Sequence, residues 1–127
     1  MQYLSDEWMA AAGQALAGSE PLAGLAAPRI ALQYEVTGAP DGKRSYTVLL
    51  GDGPAALEPG VHAEPDASFT IDYPTAAEIA RGELAAQVAF MQGRLKLGGD
   101  IDVLIRRAAE LKSLDDALAA VRADTEF

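Results

Sequence analysis

Ala89-Phe90-Met91-Gln92-Gly93-Arg94-Leu95-Lys96-Leu97-Gly98-Gly99-Asp100 decides how this chain is read. The stretch is largely apolar, yet it turns twice within a dozen residues. Gly93 stands where a helix ends, because glycine takes the left-handed conformation of a C-terminal cap without a Cβ penalty. Leu95 and Leu97 then alternate with Arg94 and Lys96, the period of a short strand with one apolar face. Gly98-Gly99 turns that strand into a new helix, and Asp100 caps its first free backbone N–H groups. No nucleophile, metal cluster or phosphate loop accompanies the stretch, which points toward shaping an apolar site rather than toward covalent chemistry.

Working outward, Ile101, Leu104, Ile105, Ala108 and Leu111 follow the i, i+3, i+4, i+7 stripe of a core-packed helix, with Asp102, Arg106 and Glu110 along the opposite side. Ser113 is expected to cap a last helix that turns Leu114, Leu118 and Val121 inward. On the other side, residues 83–92 read as a helix in which Leu84, Val88 and Met91 share one side. Phe90 projects a quarter turn or more away, at roughly 100° per residue. Two apolar sides imply a helix wedged between a sheet and other helices. Before it, Thr75-Ala76-Ala77-Glu78 fits a capping box opening a short helix that Gly82 stops.

Residues 29–37 alternate Ile30, Leu32, Tyr34 and Val36 with Ala31, Gln33, Glu35 and Thr37, as a half-buried strand does. Gly38-Ala39-Pro40-Asp41-Gly42 is a turn, and Tyr46, Val48 and Leu50 resume the alternation, so a hairpin follows. Residues 56–61 read as a weaker strand, and Pro59-Gly60 makes it a broken or an edge strand. Residues 68–73 alternate again through Phe69, Ile71 and Tyr73. At the N-terminus Ser5 caps a helix with Asp6 and Glu7 in its first turn. Leu4 and Met9 form its hydrophobic staple, Trp8, Met9, Ala12, Ala15 and Leu16 its apolar side, and Gly18 its end. A single domain over 1–127 is expected: helix and connection in 1–28, strands in 29–73, helices plus the last strand in 74–127. Sheet and helices together make an α+β class.

A chain of 127 residues buries roughly two-thirds of its unfolded surface as one domain. Half of it is hydrophobic but only 6% aromatic, so the few large apolar side chains carry much of the packing. With no cysteine, disulfides, thiol nucleophiles and thiolate metal sites are excluded together. No run approaches the roughly 20 apolar residues that span a bilayer, and the start lacks the basic end of a secretory signal, so a cytoplasmic location is expected. A formal charge of −9 disfavours nucleic acid and anionic membranes, although Arg94, Lys96, Arg106, Arg107 and Lys112 leave a local basic face.

From Phe90 to Asp100 the chain resembles the sterol carrier protein family, the type 2-like lipid-binding domain in a stand-alone bacterial form. The family signature is an aromatic, a glycine, a strand alternating basic and hydrophobic residues, then Gly-Asn or Gly-Asp opening a helix. Ala67-Ser68-Phe69-Thr70-Ile71-Asp72 and the helix through Ala80-Arg81-Gly82 extend the likeness, which runs over 29–111. It implies a five-stranded, mainly antiparallel sheet covered on one face by about five helices, with an apolar tunnel between the layers. Such a tunnel holds sterols, fatty acids or fatty acyl derivatives such as an acyl-CoA. Family members transfer or present lipids without catalysis, and Asp124-Thr125-Glu126-Phe127 here is no peroxisomal tripeptide.

With that resemblance, Phe69, Ile71, Ile79, Leu84, Val88, Phe90, Met91, Ile101, Leu104 and Ile105 become, as a set, candidates for the pocket wall, although ordinary core packing is the first reading of any one of them alone. Met91 stands out because an unbranched thioether adapts to ligands of differing shape. Gln87, within the apolar arc of Leu84, Met91 and Phe90, reads first as a side chain bonded to a loop backbone, and otherwise as the group that hydrogen-bonds a ligand's polar head, with Gln92 as the lesser candidate for that role. Asp100 and Asp102 supply too few oxygens for a hard cation, so no metal or other cofactor is expected. His62 has no Ser or Cys motif around it, and no catalytic residue is assigned. Arg106-Arg107 reads as a solvated, ion-paired helix edge, or as a contact for an acyl-carrier phosphate or lipid carboxylate.

Non-enzymatic binding and transfer of an apolar lipid is therefore the expected function. A lipid-metabolising enzyme and a transient membrane contact are the partners that fit it. An enzyme acting on a steroid or polyketide is the first alternative, with Asp72 or Glu35 as base. Their alternation with Phe69, Ile71 and Tyr34 sets those carboxylates on the other face. An interaction module without an open cavity is the second.

Overall fold

β1 (Ile30–Ala39) and β2 (Gly42–Leu50) form the antiparallel hairpin at the centre of the molecule, with a register shift between Val36 and Ala39. β3 (Ala56–Pro59) pairs with β2 as an edge strand. β4 (Ala67–Asp72) lies parallel to β1, and β5 (Leu95–Gly99) runs antiparallel to β4. The order is β3-β2-β1-β4-β5, a mostly antiparallel α+β sheet as the family signature implies. The parallel pair arises because the chain leaves β3 at one edge and must pass two strands to reach the free side of β1. This computed structural model describes residues 1–25, 28–40, 42–61 and 64–127, and of Ala108 the backbone.

Six helices accompany the sheet among the described residues: α1 (Asp6–Ala17), α2 (Glu20–Ala23), α3 (Tyr73–Ala80), α4 (Ala86–Met91), α5 (Ile101–Arg106) and α6 (Ala108–Ala119). A 3-10 turn at Arg122–Asp124 closes the chain. α1 starts as its sequence requires, with the Trp8 N–H donating to Ser5 Oγ at 3.2 Å. Leu4 ahead of it takes a left-handed backbone, φ 66°, which costs about 1–2 kcal/mol for a residue bearing a Cβ. Burying a leucine is worth about 1.5–3 kcal/mol, and Leu4 and Met9 are both buried, so the strain is offset.

On one sheet face Ile30 opposes Leu50, and Leu32 opposes Val48, itself opposite Leu57. These side chains join Trp8, Met9, Leu16 and Leu22 of the helices in one core cluster. The other face departs from the solvated pattern that alternation implies, because Gln33 is only 3% exposed and Thr47 is buried beside it. Gln33 Nε2 donates to the Gly60 carbonyl as the chain leaves β3, and the single Thr47 hydroxyl proton has Gln33 Oε1 at 3.2 Å and the same carbonyl at 3.3 Å as alternative acceptors. Backbone returning from the far edge therefore covers the middle of that face, and a buried amide is tolerated because it is hydrogen-bonded.

Several helix boundaries differ from the sequence reading. Asp72, not Thr75, caps α3: the Thr75 N–H donates to Asp72 Oδ1 at 2.8 Å, which holds that carboxyl below its usual range. Pro74 occupies the first turn, where a missing N–H breaks no helical bond. Thr75 is buried and its hydroxyl accepts from Arg94 Nε at 3.2 Å, while Arg94 pairs with Glu78 at 2.7 Å. The expected capping box is thus replaced by an ion-paired brace between α3 and the start of β5. The stripe from Ile101 to Leu111 is broken at Arg107, whose guanidinium binds the Pro28 carbonyl and Glu110. Ser113 sits inside α6 and donates back to the Ala109 carbonyl, a helix-interior role rather than a cap.

β5 turns into α5 as the opening stretch implies, with Asp100 Oδ1 accepting from the Asp102 N–H at 3.0 Å. Gly99 makes that turn possible. Its φ is +76°, and a Cβ there would meet the Asp66 carbonyl oxygen at 2.7 Å and Ala67 Cα at 3.0 Å. Gly99→Ala is expected to destabilise the fold by about 2 kcal/mol, from the left-handed penalty plus displacement of β4. Urea unfolding checks this, and a change below about 0.5 kcal/mol would show that the β4–β5 approach relaxes freely.

Candidate functional site

Tyr46 of β2, Tyr34 of β1 and Phe69 of β4 occupy adjacent register positions on the helix-facing side of the sheet, and Leu97 of β5 continues the row. The rings of Tyr34 and Tyr46 stack at 4.8 Å and 5° between planes, those of Tyr34 and Phe69 at 4.7 Å and 18°. Edge contacts prolong the series through Trp8, 5.9 Å from Tyr46, to Tyr3, 5.0 Å from Trp8, and Phe127, 5.1 Å from Tyr3. Period-2 alternation gives each residue its face, and strand pairing brings the faces together.

Exposure along this row is uneven. Leu32 and Val36, the same-face neighbours of Tyr34, are fully buried, whereas Tyr34, Phe69 and Leu97 are only half-buried. Burial is thus complete on either side of Tyr34 along β1, and cover is only partial from Tyr34 across Phe69 to Leu97. Ile79, Leu84, Leu111 and Leu118 are half-buried apolar side chains packed against the same core from the helical layer.

Ile71 and Leu104 are buried in the core, Phe69 lies on the aromatic row, and Ile79 and Leu84 are half-buried. The helix expected over 83–92 shrinks to α4, and of its side chains only Ala89 is buried. Val88, Phe90 and Met91 face outward, Met91 at 83% exposure, and Gln87 is exposed beside them. Six residues without a side-chain cap bury one side at most, so α4 is not wedged between layers. Ile101 and Ile105 of α5 are exposed as well. Among the described residues the large exposed hydrophobics thus concentrate on α4 and α5, with Val61 and Phe127 besides.

The charged residues lie elsewhere. Asp72 caps α3, and Glu35 pairs with Lys43 at 3.5 Å on the face opposite the aromatic row. A crevice of about 310 Å³ between the starts of β1, β4 and α5 is lined by Arg29, Asp66, Asp100, Arg106 and Arg107. Arg29 is engaged by the Gly51 and Pro54 carbonyls, Arg107 by Pro28 and Glu110, and Asp66 by the Ala31 N–H. Pro28, Ile30 and Val103 complete its lining, so the crevice joins an apolar base to charged groups that are already engaged. No group of His, Cys, Asp or Glu suited to a metal ion occurs among the described residues, and no helix there is long and apolar enough to cross a membrane. His62 lies outside the described residues.

Sequence reasoning passes over Tyr34, Tyr46 and Asp115. Burial pushes both phenols up, with the Asp115 carboxylate and Tyr3 adding to it. Desolvation and neighbouring Asp116 raise Asp115 in turn. The hairpin register is enough to pair the tyrosines; setting them against Phe69 requires the parallel β1–β4 pairing.

A row of stacked and half-buried apolar side chains thus lies on the helix-facing side of a mostly antiparallel five-stranded sheet. Residues 8–112 match the SCP-2 sterol transfer family, and the chain belongs to it. A conserved hypothetical protein of Thermus thermophilus, itself suggested to be a sterol carrier protein, superposes with a TM-score of 0.74 at 23% identity, over 95% of this chain and 90% of that one. A crystal structure of sterol carrier protein 2 gives 0.73 at 24% identity, over 93% and 98%. Palmitated SCP2L2 of Aedes aegypti gives 0.65 at 24% identity, over 87% and 94%. At these identities the likeness is one of fold. No curated protein matches the chain.

Proposed function

We propose that this protein binds an apolar lipid, a sterol or fatty acyl chain, against the Tyr34–Phe69–Leu97 floor, and carries or presents it without acting on it chemically. The carrying observation is the row of half-buried side chains Tyr34, Phe69 and Leu97 on the helix-facing side of the sheet, in a family defined by sterol transfer. Phe69, Ile71, Ile79, Leu84 and Leu104 form the wall in this reading. Val88, Phe90, Met91, Ile101 and Ile105, with Gln87, form the outer apolar surface that a ligand crosses as it passes to a membrane or a lipid-metabolising enzyme.

Burial supplies the affinity. At about 25 cal/mol per Å², a chain hiding some 300–400 Å² gains roughly 8–10 kcal/mol before ordering costs, enough for micromolar binding without a charged contact. Asp72 and Glu35, capping a helix and paired on the opposite face, support a non-enzymatic role. Native mass spectrometry of protein purified from cells, with titration of cis-parinaric acid, tests the reading. Retained lipid mass and saturable probe binding are expected; only empty chain and no probe binding would overturn it.

A further inference from the structure

We propose that the crevice between the starts of β1, β4 and α5 is a second ligand site, separate from the lipid floor, for a small zwitterion carrying an apolar group, the chemistry of a free apolar α-amino acid.

Strand register sets the place of this crevice. Ile30, Leu32 and Tyr34 follow one another on one face of β1, since side chains two apart in a strand share a face. Leu32 pairs with Ala67 of β4, and Tyr34 with Phe69. Leu32 and Ala67 are both completely buried, so a closed rung stands between the aromatic floor and Ile30. On the far side of that rung, Ile30 and Val103 give the crevice a buried apolar base, with Pro28 at its rim. Its volume of about 310 Å³ lies at the small end of ligand sites, which suits a compact molecule rather than a lipid chain.

The charges around this base are held in place without being neutralised. Arg29 gives its Nη1 to the Gly51 and Pro54 carbonyls at 2.8 and 3.1 Å, and it has no ion-pair partner among the described residues. Carbonyls orient a guanidinium while leaving its charge and its other N–H groups free to act. Asp66 is fixed by backbone in the same way. Its Oδ2 accepts from the Ala31 N–H at 2.7 Å, its own N–H donates to the Ala31 carbonyl, and its carbonyl accepts from the Asp100 N–H at 2.8 Å. It too lacks an ion-pair partner among the described residues. Arg106 and Asp100 face each other across 3.9 Å, longer than a hydrogen bond, and both side chains are more than half exposed. Arg107 is the spent group, closed onto Glu110 at 2.8 Å.

Apart from that closed pair, two cations, Arg29 and Arg106, stand against two anions, Asp66 and Asp100. An anionic ligand would meet the repulsion of both carboxylates, and a cationic one that of both guanidiniums. A molecule bearing both charges side by side adds no net charge. Its carboxylate takes the open guanidinium N–H groups, and its ammonium takes the carboxylate oxygens. The apolar base then covers the side chain. The proposal goes beyond lipid binding and stands independently of it.

Titration calorimetry on the full chain tests this with L-leucine, with 4-methylpentanoate, which lacks its amine, and with 3-methylbutylamine, which lacks its carboxylate. L-leucine is expected to bind saturably, and each single-charge analogue about fivefold more weakly, the scale of one partly exposed ionic contact. Asp66→Asn, which keeps an acceptor for the Ala31 N–H, is expected to weaken L-leucine about fivefold and not to weaken 4-methylpentanoate. Arg106→Gln is expected to weaken L-leucine and 4-methylpentanoate alike and not to weaken 3-methylbutylamine. Circular dichroism shows whether each variant is folded, and Arg106→Gln serves if Asp66→Asn is not. Saturating cis-parinaric acid is expected to leave L-leucine affinity unchanged, because the rung of Leu32 and Ala67 separates the two sites. No saturable L-leucine binding, binding of either analogue as tight as that of L-leucine, or displacement of L-leucine by cis-parinaric acid would overturn the assignment. Failure of cis-parinaric acid to bind would count against the lipid reading alone, since the three small ligands decide the crevice without it.

Discussion

Leu32→Ala is expected to lower the unfolding free energy by about 2–5 kcal/mol, the range for removing a buried leucine from a core that cannot collapse around the gap. Leu32 is completely buried near the start of the middle strand, opposite Val48 on one side and Ala67 on the other. Strands on both sides hold its surroundings apart, so the cavity stays open and the upper part of the range applies. Domains of this kind are stable by only about 5–15 kcal/mol, so one side chain governs a large share of the total. Urea denaturation at unchanged m-value measures it. A loss under about 1 kcal/mol would mean that the sheet centre is not where packing is tightest.

Phe69→Gln is expected to separate binding from folding. Phe69 is half-buried and stacked on Tyr34, so its removal costs stability about 0.5–1.5 kcal/mol of ring contact plus a modest burial term. Under a bound lipid, however, the new amide is desolvated without a partner, a penalty of about 1–3 kcal/mol. That corresponds to roughly a 5- to 150-fold loss of affinity for cis-parinaric acid, measured by fluorescence titration. Equal affinities in wild type and variant would place binding away from the aromatic floor.

Local chemistry is legible wherever a residue's role depends on its immediate neighbours. Ser5 and Asp100 cap the helices they precede, β1 and β2 pair as the expected hairpin, and Pro59 marks an edge strand. Gly93 follows the end of α4 at φ +75°. Alternation alone assigns Phe69 and Ile71 to one face. Competition between neighbouring signals is harder to resolve. Thr75 and Asp72 both qualify as a cap for α3, and the structure chooses Asp72 because Arg94 arrives from β5 to engage the Thr75 hydroxyl. The apolar stripe through 101–111 gives no hint of its break, since Arg107 leaves the helix for the Pro28 carbonyl, 79 residues away.

What the sequence by itself determined is therefore the α+β class, the order of strands and helices along the chain, and the family signature in residues 90–100. These follow from periodicities and caps spanning a few residues. Only the tertiary structure decided that β4 lies parallel to β1, which aligns Tyr46, Tyr34 and Phe69 into one stack. It alone buried Gln33 under returning chain and turned Val88, Phe90 and Met91 of α4 outward. The physical reason is common to all of these. A side chain's face is set by local backbone geometry, but what covers that face is set by chain arriving from far along the sequence.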